Sequence, residues 1–116
     1  MRQKQNTEVK ASKTFYEVHA KFCKAMAHPT RLHVLDLLKL GEKTVNELIE
    51  EVGVAQANLS QHLAILRDVG IVETRREGPN VYYRIANPKV VEACDLVKKI
   101  VLEEFKKQQK LLLGGS

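Results

Sequence analysis

Leu59, Leu63 and Leu66 stand at steps of four and three within the stretch Ala55 to Gly70. On a helix that spacing puts all three on one face, with Ala57, Gln61 and Ala64 roughly opposite. The leucine face needs a core. The other face is small and amide-bearing, is flanked by Asn58 and Ser60, and has no carboxylate over its first three turns. Ala57, Asn58, Ser60 and Gln61, with Gln56 before them and His62 at the flank, packing or touching a phosphate, are the expected DNA-contacting residues. Such a surface suits a DNA groove. Gln and Asn pair bidentately with adenine, alanine permits close approach and touches thymine methyls, and a helix amino end favours phosphate. The same residues would also serve as the polar face of an ordinary surface helix.

Other residues able to do chemistry are few. His19 and Cys23 are four apart, a helical spacing that presents two ligands on one face and would suit a soft metal. Cys94 lies far along the chain in an apolar stripe. These cysteines have two readings. They are either small buried hydrophobes, cysteine being among the most buried residue types, or thiols that respond to oxidants, arsenite or a soft metal. His28 is read as a helix-start residue rather than a ligand. The sequence has no Gly-rich phosphate loop, no serine in a nucleophile turn and no paired histidines at zinc spacing, so no enzyme, catalytic residue or resident metal is expected.

The elements that must position these residues follow in chain order. Residues 1–8 are polar with nothing to bury and are expected to be a flexible tail. From about Val9 to Ala27 an amphipathic helix is predicted, with Phe15, Val18, Phe22 and Met26 as its stripe. Pro29 breaks that helix and starts another, in which Leu32, Leu35 and Leu38, with Val34 and Leu37, are expected to be heavily buried before an end near Leu40-Gly41. Thr44 and Glu47 match a capping box and open a short helix ending near Val52-Gly53. A tight Gly-Val turn then leads into the Gln-Asn-Ser-Gln helix. Two short helices about such a turn make a helix-turn-helix.

Ile71 to Glu77 reads as a strand, Gly78-Pro79-Asn80 as a turn and Val81 to Ile85 as the return strand. Arg75, Arg76 and Arg84 gather on this hairpin. Charge on an edge strand commonly guards against aggregation. Placed directly after a helix-turn-helix, the hairpin is expected instead to be a wing whose Arg75, Arg76, Asn80 and Arg84 contact phosphate or minor groove. Pro88 to Gln109 reads as a last helix with the stripe Val90, Cys94, Val97 and Val101, widened by Leu96, Ile100 and Phe105. A face this broad must be covered, and the first helix of the same or a second subunit is the obvious candidate. Residues 110–116 are expected to be a carboxy-terminal tail, leaving 9–109 as one DNA-binding and dimerisation domain.

Composition agrees with this reading. At 116 residues the chain is long enough for one domain with a core, and 19 Lys+Arg against 14 Asp+Glu favour a polyanionic partner. No run reaches the ~20 apolar residues of a membrane span, and Met1 to Lys13 is polar rather than signal-like, so a cytoplasmic protein without membrane association is expected. Two cysteines so far apart do not suggest a disulfide framework.

Ala27-His28-Pro29-Thr30-Arg31-Leu32, Asn58 to Leu66, Gly70-Ile71-Val72, and Arg75-Arg76-Glu77-Gly78 followed by Val81-Tyr82-Tyr83-Arg84 together resemble the ArsR/SmtB winged-helix repressors of prokaryotes. The resemblance spans about Phe15 to Phe105. It implies a mainly α winged helix-turn-helix with a small β-hairpin wing and extra first and last helices that form a homodimer interface. It further implies recognition helices in successive major grooves of a palindromic double-stranded operator, wings on the flanks, and release by an inducer. The metal sites of the family do not transfer. Where many metal sensors carry Cys-x-Cys this chain has Glu47 to Val52, and its last helix, Pro88 to Gln109, has no histidine for the family's zinc sites. Some members sense arsenite, persulfide or oxidants through thiols, although the paired cysteines of persulfide sensing do not match Cys23. The alternative function is a winged-helix protein-interaction module, which should show aromatic anchors on the exposed recognition face. There are none.

Overall fold

Apolar spacing and local punctuation set the elements, which the computed structural model describes over residues 13–114. The chain divides after Ala86 into two units. The first holds α1 (Lys13–Met26), α2 (Pro29–Leu38), β1 (Lys43–Thr44), α3 (Val45–Val52), α4 (Gln56–Asp68), β2 (Val72–Glu77) and β3 (Asn80–Ile85), and the second is the single helix α5 (Lys89–Gly114). The expected tail 1–8, the first turn of the predicted leading helix and residues 115–116 lie outside the described residues.

Helix α2 starts as its sequence dictates. Pro29 occupies the first turn, where its missing N–H costs nothing, and His28 is extended with its Nδ1 accepting from the Thr30 N–H at 3.0 Å. Helix α3 opens on the predicted capping box: Glu47 N–H donates to Thr44 Oγ1 at 3.2 Å, and Thr44 N–H donates to Glu47 Oε1 at 2.9 Å. It closes on Gly53, whose left-handed φ of 77° would cost another residue about 1 kcal/mol or more. The chain then turns at once into α4.

The core lies within the first unit. Val34, Leu35 and Leu38 of α2, Leu48 of α3, Leu59, Leu63 and Leu66 of α4, and Ile71 and Val72 at the entry to β2 are all buried. Leu32 is not: 47% of it is exposed, contrary to the expectation for α2. Each step of three residues turns the helix by about −60°, so Leu32 stands about 120° round from Leu38 and leaves the core face. The helix also ends at Leu38, short of Leu40-Gly41, and Leu40 is exposed.

The hairpin is present and gains a third strand that the sequence reading lacks. The sheet order is β1-β3-β2, antiparallel throughout, with Thr44 opposite Tyr82 and Lys43 opposite Tyr83. Glu77 pairs with Asn80, so Asn80 belongs to the strand and the loop is only Gly78-Pro79. Gly78 at φ 61° takes the positive φ that such a two-residue hairpin loop demands.

Helix α5 runs to Gly114 rather than ending at Gln109. Lys110 and Leu111 to Leu113 are good helix formers, and no proline or cap interrupts them. None of its residues is buried, and Leu96, Val97, Ile100, Val101 and Phe105 are each more than half exposed. Among the described residues no helix is long and apolar enough to cross a membrane.

Candidate nucleic-acid interface

Leu59, Leu63 and Leu66 show no exposed surface, and this fixes the rotation of α4 about its axis. Gln56, Ala57, Asn58, Ser60 and Gln61 are consequently all exposed on its amino-terminal half. The helix opens on Ala55, which supplies no side-chain cap. Its first-turn N–H groups therefore remain available to an acceptor from outside the helix, and phosphate is the acceptor the helix dipole favours. The only carboxylate of α4 is Asp68, in its last turn. The predicted recognition face is thus one continuous polar surface without acid over its first three turns.

His62, expected at the flank either to pack or to touch a phosphate, packs within the protein. Its half-buried ring packs on that of His28, with centroids 4.4 Å apart, and its Nδ1 accepts from Arg31 Nη1 at 3.0 Å. Arg31 Nε in turn donates to the Ala25 carbonyl at 2.6 Å. One guanidinium therefore ties the recognition helix to the end of α1 and the start of α2. Burial first, then the neighbouring His28 and Arg31, hold the His62 pKa below its ordinary value. The neutral ring is the form that can accept from Arg31 at Nδ1.

The wing departs more sharply from expectation, because its arginines do not form one cluster. Successive strand residues face opposite sides, so Arg75 and Arg84 share a face with Glu73, Glu77, Asn80 and Tyr82 while Arg76 points to the other. Arg75 donates to Glu42 through Nη2 at 2.7 Å and Nε at 3.0 Å, and to Glu77 through Nη1 at 3.0 Å. Its guanidinium also lies over the Tyr82 ring, 4.7 Å from the centroid. Arg84 donates to Glu73 at 2.7 Å and reaches Glu42 at 3.5 Å. The hydrogen bond from Arg75 is the main reason the Glu42 carboxyl is held below the usual carboxylate range, and the same bond holds the Arg75 pKa up. This face carries three carboxylates against two guanidiniums. Arg76 is exposed and, among the described residues, has no partner.

Cys23 is exposed and Cys94 half-buried, so Cys23 is not core filler in this protomer. His19 is exposed and its ring packs near Phe15, with centroids 5.7 Å apart. Among the described residues no group of three or more His, Cys, Asp or Glu is placed to hold a metal ion. Sequence reasoning missed the parts played by Glu42 and Arg31. Glu42 precedes a strand too short to show alternation, and His62 lies 31 residues from Arg31 and Arg75 lies 33 residues from Glu42.

Residues 28–74, from the His28 cap through α4 into β2, match the family described as bacterial regulatory protein, arsR family. Over 110 residues the chain is 38% identical to Rv0081, an uncharacterised HTH-type transcriptional regulator of Mycobacterium tuberculosis, covering 90% of this chain and 96% of that one. It is 36% identical to a probable mercury resistance operon repressor of Streptomyces lividans, over 73% of this chain and 68% of the relative. The crystal structure of Rv0081 superposes with a TM-score of 0.76 over 84% of this chain and 98% of that one, at 36% identity. The solution structure of the homodimeric winged helix-turn-helix domain of Mb0332 from Mycobacterium bovis gives 0.75 over 81% and 87%, at 35% identity. The α2–α3–α4 arrangement, the three-stranded wing and these likenesses agree: the chain belongs to the ArsR family of winged helix-turn-helix transcriptional regulators.

Proposed function

We propose that the protein is a homodimeric transcriptional repressor that reads a palindromic operator with α4 and is released from it by an effector. The observation that carries this reading is the exposed face Gln56, Ala57, Asn58, Ser60 and Gln61, held outward by three fully buried leucines. Gln61 and Asn58 are the base-reading residues, Ala57 permits close approach, and Gln56 and Ser60 with the uncapped α4 N–H groups bind phosphate. Arg76 is the wing residue free to bind phosphate. Arg75 and Arg84 contribute only by exchanging a carboxylate partner for a phosphate, and His62 acts by holding α4 rather than by touching DNA.

The dimer is supported by the exposed apolar side chains Leu96, Ile100 and Phe105 on α5 and Tyr16 and Val18 on α1, and by the homodimeric Mb0332 domain. Paired half-sites would then lie one helical turn apart, about 34 Å. Repression as the mode of regulation is supported by the Streptomyces lividans relative.

Fluorescence anisotropy against duplex from the protein's own promoter region and against a scrambled duplex tests the proposal, with light scattering for the mass. The expected results are twice the 13.2 kDa chain mass and a clear preference for the promoter duplex. Gln61→Ala should lose about 1–3 kcal/mol on the promoter duplex only. A monomer, or equal losses on both duplexes, contradicts it.

A further inference from the structure

Beside the Arg31–His62 bridge lies a groove of about 300 Å³ between α1, α2 and the carboxy-terminal half of α4. Its walls are mostly apolar. Ala25 is at its base, Ile65 and Val69 come from the recognition helix and its end, and Lys21, Lys24 and Arg31 supply three cations against the single carboxylate of Asp68. Among the described residues, Lys21, Lys24 and Asp68 make no ion pair, and Arg31 uses only Nε and Nη1 within the protein. The groove therefore combines an uncovered apolar strip with two cations in excess of its one carboxylate.

We propose that this groove binds a small amphipathic anion, a medium-chain carboxylate being the simplest fit, and that its occupancy draws Arg31 from His62 and so loosens the recognition helix. The charge selects the class: two lysines and the spare Nη2 of Arg31 suit one carboxylate head. The size selects the body, since 300 Å³ is at the lower end of ligand-pocket volumes and accepts a chain of about eight carbons. An inorganic anion would leave Ile65 and Val69 uncovered. An uncharged alcohol would leave the cations unpaired. Coupling follows from geometry, because the guanidinium that meets the ligand is the one that holds His62 at 3.0 Å and the Ala25 carbonyl at 2.6 Å. Release requires that the ligand bind the DNA-free form better.

The coupling rests on the DNA-binding reading above, whereas occupancy of the groove does not, and the experiment separates them. The isotopically labelled full chain without DNA is titrated with octanoate, with octan-1-ol and inorganic phosphate as controls. Octanoate should give saturable amide shifts at Ala25, Arg31, Ile65 and Val69, with Kd on the order of 0.1–1 mM. The controls should be at least about tenfold weaker, and a Lys21→Gln, Lys24→Gln double variant, altered only at exposed positions, should weaken octanoate about tenfold. Absent or unsaturable shifts, equal response to octan-1-ol or phosphate, an undiminished double variant, or amides that respond to protein dilution instead, as they would under a second copy, each overturn the site. With promoter duplex, octanoate at a concentration that saturates wild type should weaken its affinity about tenfold and that of the double variant by no more than about twofold. Unchanged duplex affinity despite octanoate binding overturns the coupling. Failure of the ligand-free protein to bind the duplex sinks the DNA-binding reading while the titration still decides the groove.

Discussion

Replacing Glu42 by Gln tests how the wing meets DNA. Glu42 accepts from Arg75 at 2.7 Å and lies 3.5 Å from Arg84, and like any glutamate whose pKa is not raised it is ionised at neutral pH. Glutamine keeps the size and a carbonyl for Arg75 but removes one negative charge per protomer. The wing face then has two carboxylates for two guanidiniums instead of three, so one more phosphate can be neutralised by each wing. Each neutralised phosphate adds about 0.9 to the slope of log affinity against log salt, hence about 1.8 for a dimer. Over a fourfold salt increase from about 50 to about 200 mM that is about one further decade of affinity lost. Glu42→Gln should therefore bind more tightly than wild type at low salt and converge on it about tenfold over this range. Both promoter and scrambled duplex should show it, because phosphate contacts carry no sequence information. Anisotropy titrations at four salt concentrations measure the slope. An unchanged slope, or lost affinity for the promoter duplex alone, refutes the reasoning: Glu42 would then be a brace that the bound wing needs, and Arg75 and Arg84 would not be phosphate ligands.

Three further outcomes are expected. Arg76→Ala should flatten the same slope by about 0.9 per protomer on both duplexes, and no change would exclude Arg76 as a phosphate contact. Leu63→Ala removes a side chain with no exposed surface and should lower urea-unfolding stability by about 2–5 kcal/mol; a loss under about 1 kcal/mol would mean that α4 is not seated as described. His62 has a folded pKa below its ordinary 6.5, so on acidification the unfolded chain takes up the proton first. Its contribution is complete above about pH 6.5 and is lost as pH falls below that value, until the folded ring also protonates. Glu42, with its pKa below 4.5, contributes a separate loss only at lower pH. Urea unfolding between about pH 7.5 and about pH 5.5 should show a shallower fall for His62→Gln than for wild type, and parallel curves would contradict the assignment.

The sequence by itself determined the helices, the hairpin and the polar recognition face. Leucines at steps of four and three, Pro29 at a helix start, the Thr44–Glu47 box and the Gly53 stop are all signals carried within a few residues, because helix periodicity and capping are local. The split between Arg75 and Arg76 was legible in the same way, since neighbours on a strand face opposite sides. Tertiary structure alone decided what those side chains meet. The two residues of β1 become a strand only by pairing with β3, and that register brings Glu42 to Arg75 and Arg84. His62 became an anchor rather than a contact because α2 packs where Arg31 and His28 reach it, from 31 and 34 positions earlier in the chain. A strand's period says which face a side chain takes, and a helix's says which stripe; neither fixes the partner, which depends on how distant elements are brought together by burying their apolar faces.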